Sequence, residues 1–205
     1  MEGGAGTSRR VREVRRAVPF RGAGGRGCGA TCEHALVTTS RSPAGPLDTA
    51  AAAVFWHEYV TAHPELVAAG DEYVVDRFGD SRELSDELLG VVRHGAKRAT
   101  AELVAEFAHR GEALPRIGAH WVACDGRGAP AMVLRTVELR IATFREVDAD
   151  FAFDEGEDDR SLRSWREQHR VYWERTCSAR GAVWSESDEI VLERFQVVWP
   201  PELAD

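Results

Sequence analysis

Gly95-Ala96-Lys97-Arg98-Ala99-Thr100 is the turn from which the rest of the chain can be read. A glycine ends one apolar-periodic segment, a lysine follows two residues on, and a threonine opens the next segment. That order predicts a helix from Ala101 to about His109 with Thr100 as its N-cap. It also puts an amine and a hydroxyl in one turn, beside backbone N–H groups able to hold an anion or a developing oxyanion. By itself the pattern is a weak signal, and a plain helix cap next to a solvated lysine accounts for it more simply. Composition sets Lys97 apart: of 26 basic residues it is the sole lysine. A position that stays lysine amid so much arginine is a candidate for an amine that can lose its proton, which a guanidinium cannot do.

Upstream of the turn, Ser81 is a good N-cap, Leu84, Leu88, Val91 and Val92 recur at helical spacing, and Arg93-His94-Gly95 close a helix. Before it, Tyr73–Phe78 reads as a short strand, and Asp48 caps a helix through Val54, Phe55 and Tyr59 that ends before His63-Pro64. Downstream, Leu114-Pro115 and Gly118 form a turn. His120–Cys124 and Ala131–Ile141 read as paired strands across Asp125-Gly126-Arg127-Gly128. An acidic loop spans Asp148–Asp159. A long helix carrying Leu162, Trp165, His169, Tyr172 and Trp173 follows, and a last strand, Glu189–Trp199, is stopped by Pro200-Pro201.

The acidic loop is the second candidate for chemistry. Seven acids between Asp148 and Asp159 repel one another, and capping a helix needs one or two. The surplus points to a catalytic carboxylate or a divalent-cation site. On its strand, Arg135 fits a contact to a ligand phosphate or carbonyl as well as a surface ion pair. His169, on the stripe of Trp165, reads as a residue at the edge of the core.

The 205 residues suffice for one domain with a remainder, and 43% hydrophobic content supports a core. Residues 1–48 are rich in Gly, Ala, Arg, Ser and Pro without periodicity and read as a disordered basic tail, with a folded domain over 49–201. Val37-Thr38-Thr39-Ser40 within the tail reads as a second translation start. Cys28, Cys32 and His34 lack the second pair a zinc site needs, so no metal is assigned. Charge divides unevenly: residues 1–50 carry +4 and the rest −12. An acidic body disfavours tight, sequence-independent binding of long nucleic acid, DNA included. No run of about 18 apolar residues and no secretory h-region is present, so a cytoplasmic protein without membrane partners is expected.

Taken in order, nine short elements resemble the ASCH domain family, a branch of the PUA-like barrels. They are Phe78-Gly79-Asp80-Ser81, Asp86-Glu87-Leu88-Leu89, Gly95-x-Lys97-x-x-Thr100, Leu114-Pro115-x-x-Gly118, Arg135-Thr136, Phe144-x-Glu146-Val147, Glu155-Gly156-Glu157, Leu162-x-x-Trp165 and Glu193-x-Phe195. The resemblance implies an α+β fold, a small β-barrel flanked by helices, with a ligand cleft between the Lys97–Thr100 turn and the acidic loop. It implies a small nucleoside or an RNA as ligand. Bacterial members remove the acyl group from N4-acetylcytidine, which carries over as Thr100 nucleophile, Lys97 base and Glu155 acid or orienter, without a cofactor. Arg135, Arg98 and Glu157 complete the candidate substrate contacts. The alternative is an RNA-binding module, or a ribonuclease assisted by a divalent metal such as Mg or Mn, in the same cleft, with an arginine path along Arg93, Arg98, Arg135 and Arg140. The chain departs from the family pattern at Ala119-His120 after Gly118, where Gly-Asp is usual, and at Asp158, where a second glycine is usual. The loss of glycine at 158 bears on how the acidic loop can turn.

Overall fold

The computed structural model describes residues 12–13, 42–67 and 72–205. Most of the expected tail, with Cys28, Cys32, His34 and the start at Val37, lies outside the described residues. The described part of it joins the body. Arg12–Glu13 form a short strand, β1, parallel to β2 (Tyr73–Asp76). Leu47 is buried, and the Arg82 and Asp48 N–H groups donate to the carbonyls of Ser42 and Gly128. The body therefore begins no later than Ser42, ahead of residue 49.

Helix α1 (Thr49–Ala62) starts where Asp48 Oδ1 accepts from the Ala51 N–H at 2.9 Å and ends at His63, before Pro64. Its Trp56 and Tyr59 pack with Tyr73, Val75, Val122 and Val133 on one face of the sheet. On the opposite face lies α2 (Arg82–Arg93), capped by the Ser81 side chain, whose leucines meet Phe78, Trp121 and Phe195.

The segment after Lys97 is a strand before it is a helix. Ala99–Leu103 form β3, and α3 is only Val104–Arg110, with Leu103 at its N-cap. The reason is periodicity of two: Ala99, Ala101 and Leu103 face one core, leaving Thr100 and Glu102 for the other face of the strand. Long-range pairing overrides local helix preference. A second correction concerns the acidic stretch. Asp148 caps a helix, α4 (Ala149–Glu155), accepting from the Phe151 N–H at 2.8 Å, and the loop proper is only 156–161. Helix α5 (Leu162–Ala179) follows and covers the face built from Ala101, Phe144, Phe151 and Leu192.

Among the described residues six strands run in the order β1-β2-β4-β5-β6-β3, with β4 His120–Cys124, β5 Pro130–Thr143 and β6 Glu189–Trp199. The first two pairings are parallel and the other three antiparallel. The closed barrel expected from the family is not formed among the described residues: β1 and β3 remain the two edges. Register shifts at Val133/Leu134 and Thr136/Glu138 mark irregularities in β5 of the kind that bend a strand and increase its twist. At the β3 edge the strand is five residues long, and the chain leaves the sheet at once for α3. No described helix is long and apolar enough to cross a membrane.

Candidate functional site

Two segments nearly 60 residues apart are stitched together along their backbones. Arg98 N–H donates to the Asp154 carbonyl at 2.7 Å, and the Lys97 ammonium donates to the Glu155 carbonyl at 3.3 Å. Gly156 makes the approach possible. It ends α4 at a φ of 71°, and a Cβ there would lie 2.2 Å from the Ala96 oxygen and 2.7 Å from the Lys97 nitrogen. Only glycine fits a position that needs both a positive φ and backbone contact.

The stitching buries a charged cluster. Lys97 is 0% exposed and Glu155 1%. Lys97 Nζ lies 2.7 Å from Glu157 Oε1 and 3.6 Å from Glu155 Oε2, with the Phe78 ring 5.5 Å away. Burial opposes the charge on Lys97, but Glu157 and Glu155 outweigh it and hold the ammonium above the ordinary lysine range. Burial pushes the Glu155 carboxyl up to about 7, against the pull of Lys97 and with help from Glu157. Lys97 is therefore a fixed positive charge here, and the group poised to exchange a proton near neutrality is Glu155. That reverses the direction expected for a neutral lysine base.

His169 belongs to the same cluster. It is 2% exposed, and its Nε2 lies 3.6 Å from Glu155 Oε2. The ring stacks on Trp165 at 3.9 Å between centroids, and Nδ1 is 2.9 Å from the Trp165 carbonyl. The sequence expectation puts it at the edge of the core; its one signal is a histidine on an aromatic stripe, four residues after Trp165. Burial lowers it well below the ordinary histidine range, opposed by its bond to the Trp165 carbonyl and aided by Lys97.

The remaining candidates separate. Thr100 is 4% exposed on β3, opposite Glu193, and no hydrogen bond joins its hydroxyl to Lys97 or Glu155. Across the sheet the Thr136 hydroxyl donates to Glu193 Oε1 at 2.6 Å. Arg98 is engaged by Asp205 and by the carbonyls of Val92 and Lys97, and Arg140 by Asp148. Arg135 makes no hydrogen bond or ion pair among the described residues, and lies opposite His120. Glu157, with its side chain 20% exposed, connects the cluster to the surface. The loop that carries it holds two non-glycine residues at positive φ, Asp158 at 50° and Arg160 at 62°. Asp158 thus keeps the turn that a glycine would make, at an expected strain of about 1 kcal/mol, and Glu155 is not swung outward.

A cavity of about 370 Å³ lies elsewhere, lined by Phe107, Leu114, Pro115, His120, Trp121 and Thr136 among others. None of Lys97, Thr100 and Glu155 lines it, whereas the spaces beside Glu157 are only about 20 and 10 Å³. Among the described residues no group of three or more His, Cys, Asp or Glu is arranged to hold a metal.

The ASCH domain family model matches residues 74–199. The chain is also similar to a crystal structure of an ASCH domain from Lactobacillus crispatus, at 26% identity and a TM-score of 0.66, over 74% of this chain and 96% of that one. A second similar structure is a protein from Enterococcus faecalis, at 26% identity and a TM-score of 0.64, over 73% and 88%. Among curated proteins no match is found.

Proposed function

The chain belongs to the ASCH domain family, a PUA-like fold, and from that premise we propose that it hydrolyses acyl-modified pyrimidine nucleosides, N4-acylated cytidine first among them. The observation that carries this reading is a wholly buried carboxyl, Glu155, held 3.6 Å from the buried Lys97 ammonium, with burial pushing it up to about 7. A carboxyl held near neutrality by burial beside a charge partner is what acid–base chemistry requires.

In this reading the roles differ from those the resemblance implies. The Lys97 ammonium attracts the acyl carbonyl oxygen and stabilises the oxyanion that forms there. Glu157 now occupies that position, so substrate displaces Glu157 and the short loop that carries it. The Thr100 hydroxyl adds to the acyl carbon and gives its proton to the Glu155 carboxylate. The C–N bond then breaks, and Glu155 returns the proton to the departing exocyclic amine. Water releases the acyl group from Thr100 as the free acid. Arg135, Arg98 and Glu157 are proposed as substrate contacts, and no cofactor is required.

The test is incubation of the purified protein with N4-acetylcytidine, following cytidine by chromatography. Cytidine release that is lost in Glu155→Gln and Thr100→Ala supports the reading; a folded protein that releases none overturns it. The second reading is an RNA-binding module or a metal-assisted ribonuclease. It is favoured by the separation of the 370 Å³ cavity from the cluster, and by an Arg135 with no ion pair among the described residues. Binding or cleavage of a short RNA, with and without magnesium or manganese, in the absence of nucleoside hydrolysis would establish it.

A further inference from the structure

We infer that His169 is the positioning residue of Glu155: its Nε2 accepts the carboxyl proton on Oε2 and so fixes how that carboxyl is turned. The inference deepens the hydrolase reading, on which its catalytic consequence rests; its structural content stands apart from that reading.

The tautomer follows from one contact. His169 Nδ1 lies 2.9 Å from the Trp165 carbonyl oxygen, which can only accept, so Nδ1 carries the hydrogen. In the neutral ring Nε2 is then a bare lone pair. It faces Glu155 Oε2 at 3.6 Å, and among the described residues no partner lies within hydrogen-bond geometry of either buried Glu155 oxygen or of His169 Nε2. Two lone pairs pointed at each other in a buried site repel, and a single proton between them turns the contact into a hydrogen bond. At 3.6 Å the pair lies roughly 0.5 Å beyond hydrogen-bond range, and the bond forms as the Glu155 carboxyl turns to close that gap.

The proton belongs on the carboxyl, because the surroundings reject an imidazolium. The neighbours of His169 on α5 are Trp165, stacked at 3.9 Å, and Trp173, edge-on at 4.9 Å. From α4 it faces Glu155, and from the turn before β3 the Lys97 ammonium, which Glu157 holds at 2.7 Å. A second cation beside Lys97 is disfavoured, whereas a neutral Glu155 leaves Lys97 paired with Glu157. Ring rotation is blocked as well. Turning the ring over would break the bond to Trp165 and lift the stack, so Nε2 stays aimed at Oε2.

The decisive measurement is the nitrogen spectrum of the isotopically labelled full chain near pH 6. His169 is expected as the Nδ1–H form, with Nε2 displaced from the position of a free lone pair toward that of a hydrogen-bonded one. Glu155→Met removes the donor and should return Nε2 to the free position; Glu155→Gln, whose amide can donate, should not. An Nε2–H tautomer in the wild type, or an Nε2 signal indifferent to Glu155→Met, overturns the inference. In the hydrolysis assay His169→Phe should lower kcat at least tenfold with little change in KM, and His169→Gln, which restores an acceptor, should recover part of it. Equal loss in both variants would make His169 merely structural. If the wild type hydrolyses nothing, the function fails, while the nitrogen spectrum still decides the contact.

Discussion

The Lys97 cluster and the 370 Å³ cavity divide between them what one active site needs. The cluster holds perturbed charges in van der Waals contact with almost no free volume, whereas the cavity holds volume enough for a nucleoside but only scattered polar groups. What joins them is the sheet. Thr100, three residues after Lys97 in the chain, lies opposite Glu193, and Glu193 accepts from Thr136 on the cavity wall. Chemistry and room are thus two strands apart, and the loop carrying Glu157 is the part of the cluster that reaches the surface. A buried charge cluster can be kept either for stability or for catalysis, and the two regions answer differently to the same perturbation.

The largest effect is expected from Lys97→Met. It removes the cation that pairs with Glu155 and Glu157 and leaves the buried Glu155 and the part-buried Glu157 without that counter-charge. Breaking a buried pair in this way costs about 3–5 kcal/mol, and chemical denaturation should read a loss of that size. A loss under about 1 kcal/mol, the value of a surface pair, would mean the cluster is open to water and the contrast with the cavity is false.

Next comes the pH dependence that Glu155 imposes. Its value in the folded protein, about 7, lies above its ordinary 4.5, so between those limits the folded state keeps a proton the unfolded chain has lost. Its contribution to stability is full below 4.5 and is lost as pH rises through about 7. Lys97, also raised, keeps its own contribution across this window and loses it only in more alkaline solution. The stability of the wild type minus that of Glu155→Gln should therefore fall between pH 5 and 7, by at most about 1.4 kcal/mol per pH unit. A difference that stays flat would place Glu155 in ordinary solvent.

Thr136→Val tests the link between the regions. It deletes a 2.6 Å hydrogen bond to a buried carboxylate while conserving shape, and about 1–3 kcal/mol of stability should go with it. If the cavity wall also positions Thr100 through Glu193, hydrolysis should fall by more than the stability loss explains. An unchanged rate in the folded variant would separate cavity from cluster functionally.

Much of this was legible in the sequence where the signal was local. Asp48 and Ser81 each cap the helix their spacing announced, and β6 covers the residues expected of it because Pro200 stops it. Lys97 and Glu155 were both singled out, and they lie 3.6 Å apart. What failed was non-local. Ala99–Leu103 is a strand only because β6 is there to pair with it, and Ala-Thr-Ala-Glu-Leu contains nothing that announces β6. The sign of the lysine shift depends on Glu157 being 2.7 Å away, which no spacing could give. His169 was passed over for a physical reason too: on an amphipathic helix a buried histidine and a core aromatic have the same periodicity. Only the fold brings Glu155 to face it.

The smallest effect on stability, and the sharpest division between the two functional readings, belongs to Arg135→Gln. Arg135 is half-buried on β5 opposite His120, with no hydrogen bond or ion pair among the described residues. Losing it should change stability by no more than about 0.5 kcal/mol, as for substitutions that remove no specific contact. Arg98 and Arg140, by contrast, are held by Asp205 and Asp148, so an arginine path for a nucleic-acid backbone has Arg135 as its best available member. A neutral nucleoside carries no phosphate for a guanidinium to bind. Hydrolysis of N4-acetylcytidine should then keep its kcat in Arg135→Gln, with KM changed only if the guanidinium meets a carbonyl. For an RNA ligand the same variant should weaken binding across sequences and lower the dependence of affinity on salt by about one phosphate contact. Affinity for a short RNA, measured at several salt concentrations in wild type and variant, reads the outcome. If the slope drops while nucleoside turnover is absent, the cavity is an RNA site and the Lys97 cluster only braces it. If the slope is unchanged and turnover persists, the cluster is where the chemistry happens.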